Sequence, residues 1–298
     1  LIHVFGREGD MRLNLRFIWE SKLLTIGIII FLLICLISII QPILLRALIG
    51  DLDPMEVGSF PLFDPISATH PLGTDRYGRD VMALLLLGLR YSLSIGLLSG
   101  LISTIIGTIV GLITGFYGGW VDTILRSGTD MILVIPTLPL LITLSAYIRG
   151  LDVVTMALLL AAFSWPFSAR TIRAQVLSLR ERNYVDLARA SGMSKIEIIF
   201  LEIMPNLLPY LGVSLAASVV GAILAEFGLE IIGLGPDNIA TLGLMINWAI
   251  GWGSMSLGKW ALIAAPAGVL ILIFLSLNLI NIGLEQTFNP RLKGTTGL

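Results

Sequence analysis

The chain has 298 residues, 56% of them hydrophobic and only 13% charged, about half the roughly 25% of a soluble domain. Its net charge is −1 and its mean hydropathy is +0.92, which exclude a soluble globular enzyme, a disordered chain and a nucleic-acid binder. One cysteine, Cys35, excludes a disulfide framework, and two histidines, His3 and His70, leave little material for a metal centre.

An integral membrane protein remains, and its spans follow from windows free of Asp, Glu, Lys and Arg. A spanning helix needs roughly 20 predominantly apolar residues. After a polar arm at 1–22, the first window is 23–45, with 17 Leu, Ile or Phe, worth about −5 to −10 kcal/mol on insertion. It lacks a small-residue cleavage site, so it reads as an anchor rather than a signal peptide. A long loop at 46–90, rich in Pro, Asp and Gly, separates it from window 91–121. That window carries Gly96, Gly100, Gly107, Gly111 and Gly115, whose small-xxx-small spacing suits close helix packing, with pathway lining as the alternative. Window 131–148 holds Pro136 and Pro139, which predict a kink or break. Windows 153–169, 203–225 and 260–284 complete six spans. The segment 238–258 is apolar but holds four glycines and two asparagines, and only Lys259 separates it from the next window. It reads as interfacial or re-entrant, with Trp248, Trp252 and Trp260 at headgroup level. The expectation is an all-α integral membrane protein with one six-span domain over 23–284 and a tail at 285–298.

Charge sets the orientation. The arm, the 117–130 loop, the 170–202 loop and the tail together carry 13 Lys and Arg, and the opposite side carries 6. The basic side is therefore cytoplasmic, with both termini inside.

The cytoplasmic loop 170–205 is not a plain linker. Residues 184–191 read as a short helix stopped by Gly192. Ser194 stands three residues before Glu197 and an apolar run, a capping box that opens a second helix. A helix–glycine–helix bearing Arg182, Arg189 and Lys195 suits docking of a cytoplasmic protein; the alternative is a solvated positive loop.

The stretch Asp186-Leu-Ala-Arg-Ala-Ser-Gly192, with Ile203-Met-Pro205-Asn206 after it, resembles the EAA loop of ABC importer permeases. Gly192, Pro205 and Ala188 match that motif in place, and Asp186 stands for its Glu. Leu187, Glu202 and Met204 depart from it. The block His70-Pro-Leu-Gly-Thr-Asp75-Arg-Tyr-Gly-Arg-Asp80, running into Gly88-Leu-Arg-Tyr-Ser92, is similar to the outer loop of the dipeptide/oligopeptide/nickel family, C-type subunit. Gly115-Phe-Tyr-Gly-Gly-Trp-Val-Asp122, Glu226 with Ile232-Gly-Leu-Gly235, and Asn289-Pro-Arg-Leu-Lys293 resemble later blocks, in the family's order.

That resemblance implies a permease subunit in the cell membrane, forming half of a translocation pathway for di- or oligopeptides, with oligosaccharide or nickel chelate as alternatives. It implies a second homologous permease, two ATP-binding subunits that hold ATP and Mg, and an extracytoplasmic substrate-binding protein. No cofactor, metal or catalytic residue is expected on this chain, and no nucleic acid; lipid surrounds it. The coupling element would be 184–200, with Tyr184, Asp186, Ala188, Arg189, Gly192, Ser194, Lys195 and Glu197. Asp75, Arg76, Arg79 and Asp80 would either pair within the outer loop or meet the binding protein and gate. Glu226 and Glu230, four apart near the outer end of the fifth span, face protein, water or headgroups, or line the pathway. Gly253-Ser-Met-Ser-Leu-Gly258-Lys259 fails as a P-loop because Trp260 replaces the Ser or Thr that would hold Mg. A secondary transporter would need inverted repeats, and none is visible.

Overall fold

The structure is a computed structural model that describes residues 21–148, 150–236 and 239–288. In lipid a backbone must satisfy its own N–H and C=O groups, so apolar stretches fold as helices. Among the described residues these are α1 Lys22–Ile49, α2 Val81–Tyr117, α3 Gly119–Val134, α4 Thr137–Tyr147, α5 Val153–Arg180, α6 Asn183–Ala190, α7 Lys195–Ile231, α8 Leu242–Gly251 and α9 Ala261–Phe288. Side-chain caps set several starts. Ser21, Asp80, Asp152 and Thr241 accept from the N–H groups of Leu24, Ala83, Thr155 and Leu244, donors that a helix start otherwise leaves open.

Five helices, α1, α2, α5, α7 and α9, are long and apolar enough to cross a bilayer. α3 and α4 form a sixth, broken span bent by 79°. The break falls where the two prolines predict it. Ile135 is extended, at φ −71° and ψ 125°, the conformation that a following proline imposes. α8 has ten residues, about 15 Å at 1.5 Å per residue, half the hydrocarbon thickness. The segment 239–258 is thus a half-helix followed by turns.

α2 is the central rod, 37 residues and about 55 Å long. It packs mainly on α5 and α7, while α9 joins α1 to α7, and α8 sits among α2, α7 and α9. The α2 glycines make those approaches possible. A Cβ on Gly100 would stand 2.9 Å from the Val219 nitrogen, and one on Gly111 2.9 Å from the Ala169 carbonyl. Gly96 and Gly100 face α7, and Gly107, Gly111 and Gly115 face α5, so the stripe is a packing surface. Gly283 meets Leu24 the same way across α9 and α1. The two ends of α2 define the two ends of the bundle. The Val81 end carries the 50–80 loop and α8; the Tyr117 end carries α6 and the start of α7.

Several expected boundaries move, most of them because a charge finds a partner. α2 begins at Val81 rather than 91, since Arg90 donates to Gln41 at 2.9 Å; the loop 46–90 shrinks accordingly. The expected loop 117–130 is mostly helix α3, whose Asp122 and Asp130 are paired to Arg173 and Arg170 of α5. α5 runs on to Arg180, so the linker proper is only 181–194 in and around α6. α9 reaches Phe288, into the expected tail. The arm 1–20 and the tail 289–298 lie outside the described residues.

Replacing Gly107 with Val forces α2 off Ser168 and the Trp165 carbonyl. It should destabilise the purified chain by about 1–3 kcal/mol, seen as a lower Tm in detergent. Gly221→Ala, with nothing within 4 Å of the added Cβ, should leave Tm unchanged or raise it.

Candidate docking and gating sites

At the Tyr117 end, α6 lies across the ends of three spanning helices. Val185 and Ala188 are buried in a cluster with Leu112 and Phe116 of α2, Ile172 and Val176 of α5, and Ile199 and Ile203 of α7. Arg180 donates to the carbonyls of Gly115 and Phe116 at 3.2 and 3.3 Å, satisfying the open C-terminus of α2. α6 then stops in a left-handed turn. The Gly192 N–H donates to Arg189 and the Met193 N–H to Ala188, with Gly192 at φ +82°, where a side chain costs about 1–2 kcal/mol.

The capping box forms as its spacing predicts. The Ser194 hydroxyl accepts from Glu197 N–H at 3.3 Å, and the Glu197 carboxylate accepts from Ser194 N–H at 2.7 Å. α7 passes through a π-register turn at Ile198–Ile203, where Met204 N–H donates to Ile199 rather than to the residue four back. Pro205 explains the slip, since it has no N–H for the Leu201 carbonyl. Asn206 Nδ2 donates to the Glu202 carbonyl at 2.7 Å.

The outer face of this element is exposed and mixes apolar with charged side chains. Leu187 is 69% exposed and Ile196 62%, flanking the exposed Asp186–Arg189 pair at 3.0 Å. Lys195 reaches over the Tyr117 ring, 5.6 Å from its centroid. Burial pushes the Tyr184 phenol above its ordinary value, and its hydroxyl has no partner among the described residues. The sequence-predicted residues 184–197 are thus one continuous ledge, apolar inside and mixed outside.

At the Val81 end the 50–80 loop is tied down by charge. The Asp75 carboxylate accepts from Arg79 Nε at 2.7 Å and from the N–H groups of Tyr77 and Arg79. Arg79 lies over the Trp248 ring at 4.5 Å, which holds the loop on α8. Asp80 caps α2 and pairs with His70 at 2.7 Å. Lys259 Nζ donates to the Phe63 carbonyl at 2.6 Å. Asp75, Arg79 and Asp80 are buried in these ties, and only Arg76 of the four faces solvent. Trp248 and Trp252 stack at 6.4 Å beneath the loop, leaving Trp260, 66% exposed, as the outward one of the three tryptophans.

Glu226 and Glu230 do not line an open passage in this conformation; both are buried, at 1% and 0% exposure. Ser92 of α2 donates to Glu226 at 3.0 Å and accepts the Leu242 N–H at 3.1 Å. Thr241 donates to Glu230 at 2.6 Å, and the carboxylate fills the space a Cβ on Gly243 would need. The two carboxylates thereby fasten the start of α8 to α2 and α7. Sequence spacing put them on one face but gave no signal for Ser92 and Thr241, which lie 134 and 11 positions from their partners. It missed Asp122, Asp130, Arg170 and Arg173 for the same reason. Among the described residues no group of three or more His, Cys, Asp or Glu comes together to hold a metal.

Comparison with known proteins shows the family and the fold. A family profile described as "Binding-protein-dependent transport system inner membrane component" matches residues 107–294. The oligopeptide transport system permease protein OppC of Mycobacterium tuberculosis is 34% identical over 232 residues, covering 77% of this chain and 78% of that protein. The dipeptide transport system permease protein DppC of Alkalihalophilus pseudofirmus is 31% identical over 275 residues, covering 92% and 88%. Among solved structures, the MetNI methionine ABC transporter in inward facing conformations matches with a TM-score of 0.54 at 20% identity, over 70% of this chain and 96% of that one; that likeness concerns the fold.

Two substitutions test the local chemistry. Ser194→Ala removes the cap and should cost about 1 kcal/mol, so amides of 185–198 should exchange roughly fivefold faster while those of α9 stay unchanged. Thr241→Val leaves Glu230 without its donor and should cost about 1–3 kcal/mol, read as a lower Tm, with Thr241→Ser near wild type.

Proposed function

The chain belongs to the binding-protein-dependent transport system inner membrane component family, and from that premise we propose that it is one permease of an ABC importer for peptides. It is a multi-pass inner membrane component, as the family description and its spans indicate. In this reading it pairs with a second homologous permease, and the two enclose the translocation pathway. Two ATPase subunits bind ATP and Mg on the cytoplasmic side, and an extracytoplasmic binding protein delivers substrate. This chain is non-catalytic and carries no cofactor.

The single observation that carries the proposal is the 183–197 ledge. Its inner face is buried against the ends of α2, α5 and α7, while its outer face leaves Leu187 and Ile196 in water. Apolar side chains on a rigid, polar-rimmed ledge outside the membrane suit a protein groove. The loops at this end carry the Lys and Arg excess of the sequence, which supports reading it as the cytoplasmic side, where an ATPase would meet it. Closure of the ATPases would push the ledge, and the push would reach the spans because the ledge has no play against them. Such coupling requires each pore state to make different contacts with the ATPases. The peptide substrate is inferred from the oligopeptide and dipeptide permeases that the chain resembles; the buried carboxylates at the other end suit closing the outer mouth rather than reading a substrate.

Purification from native membranes in mild detergent should recover a second six-span permease and one or two ATPases with this chain. Recovery of the chain alone, under conditions that keep other membrane complexes intact, overturns the reading. Leu187→Asp and Ile196→Asp alter only exposed side chains. Each should leave the chain at its normal membrane level and lower both ATPase recovery and peptide uptake by about tenfold or more. Unchanged uptake in both variants would remove the ledge from the mechanism.

A further inference from the structure

Between α2, α3 and α5, near the Tyr117 end, lies a cavity of about 180 Å³. Its charged walls are Arg126, Asp130, Arg170 and Arg173. Asp130 holds Arg170 at 2.6 Å and Arg126 at 3.5 Å. Asp122 takes Arg173 with both oxygens, at 2.7 and 2.6 Å. Three guanidiniums meet two carboxylates, so the cluster is one negative charge short of neutral.

The donors left over point to the missing partner. A guanidinium has five N–H groups in a planar fork. The hydrogen bonds here use one from Arg170 and two from Arg173, and Arg126 makes only its long ion pair among the described residues. The hydroxyls of Thr114 and Thr129, also in the wall, donate to carbonyls of their own helices. The cavity is therefore rich in charged N–H and offers an oxyanion what guanidinium binds best.

Its level in the membrane selects among oxyanions. Charges from two helices gather at one height, and a charge deeper in the bilayer costs about 2.5–3.5 kcal/mol or more. At the same end Tyr117 and Trp120 are 47% and 74% exposed, the amphipathic aromatics that favour headgroup depth. The oxyanion most concentrated at that depth is lipid phosphate. We propose that this cavity binds the phosphodiester headgroup of an anionic phospholipid. The bound −1 charge completes the balance, whereas a zwitterionic lipid brings its own ammonium and leaves the excess unanswered. A lipid seated there braces the broken span α3–α4 against α5, the helix that leads through Arg180 into α6. The proposal needs only the membrane placement of the chain and is independent of ATPase coupling.

The test is native mass spectrometry of the full-length chain, released from detergent after exchange with phosphatidylglycerol or phosphatidylcholine. Wild type should retain one phosphatidylglycerol per chain and no comparable phosphatidylcholine, and inorganic phosphate should not displace it. Arg126→Gln breaks only the 3.5 Å pair and should weaken retention about fivefold, and the double change with Arg170→Gln by about twentyfold. Arg46→Gln, 80% exposed at the opposite end, should have no effect. Thermal unfolding without added lipid checks that Arg126→Gln folds normally. Equal retention by Arg126→Gln and wild type, equal affinity for phosphatidylcholine, or displacement by inorganic phosphate would each overturn the proposal, the last by revealing a free-oxyanion site.

Discussion

Five glycines along α2 set how closely its neighbours approach, and the rest of the bundle is arranged around that approach. Gly96 and Gly100 admit Ile223 and Val219 of α7; Gly107, Gly111 and Gly115 admit Ser168, Ile172 and Val176 of α5. Lipid provides no hydrophobic drive between helices, so van der Waals contact at short range must supply the adhesion. Small polar groups strengthen the same seam. Ser168 bonds Ser214 and Ser218 of α7 at 3.1 and 3.0 Å. Close-packed interiors transmit displacement rather than absorb it, so α2, α5 and α7 act as one body.

Both ends of the bundle are fastened to that body. At one end, Val185 and Ala188 key α6 into the ends of all three helices, and Arg180 closes the α2 carbonyls. At the other, Ser92, Glu226, Glu230 and Thr241 pin α8, and Arg79 on Trp248 pins the 50–80 loop above it. The broken span α3–α4 is attached differently. Its α3 half joins α5 through two ion pairs at the Tyr117 end, and its α4 half packs through Leu141 into a cluster with Ile95 of α2, Met156 of α5 and Leu229 of α7. In the transport reading, the ledge is where movement enters.

How much of this was legible in the sequence depends on the range of the interaction concerned. Short-range chemistry was readable. The Ser194–Glu197 box, the Gly192 stop and the Pro136 break all follow from neighbours within four residues, and all three appear in the structure. Helix ends governed by distant charges were not. A scan for uncharged windows stops at Arg90, yet the helix runs past it because Gln41 lies 49 positions away. It likewise reads Tyr117 to Asp130 as loop, since nothing nearby shows that Arg170 and Arg173 neutralise its aspartates. Their spacing sets Glu226 and Glu230 on one helix face, but the half-helix that covers them reads in the sequence as an interfacial or re-entrant segment with no link to either carboxylate. What passes through the pathway leaves no trace in any local pattern.

The central claim is that the ledge and the rod move together. Nitroxide labels at Arg189 on α6 and Leu101, 48% exposed on α2, with Cys35 replaced, would report it by pulsed electron paramagnetic resonance in the assembled complex. Rigid seating predicts a single narrow distance that changes by less than about 2 Å between nucleotide-free and ATP-bound states. A shift of about 5 Å or more, the length of a helical turn, or a split distribution would show that the ledge moves against the rod and contradict the account.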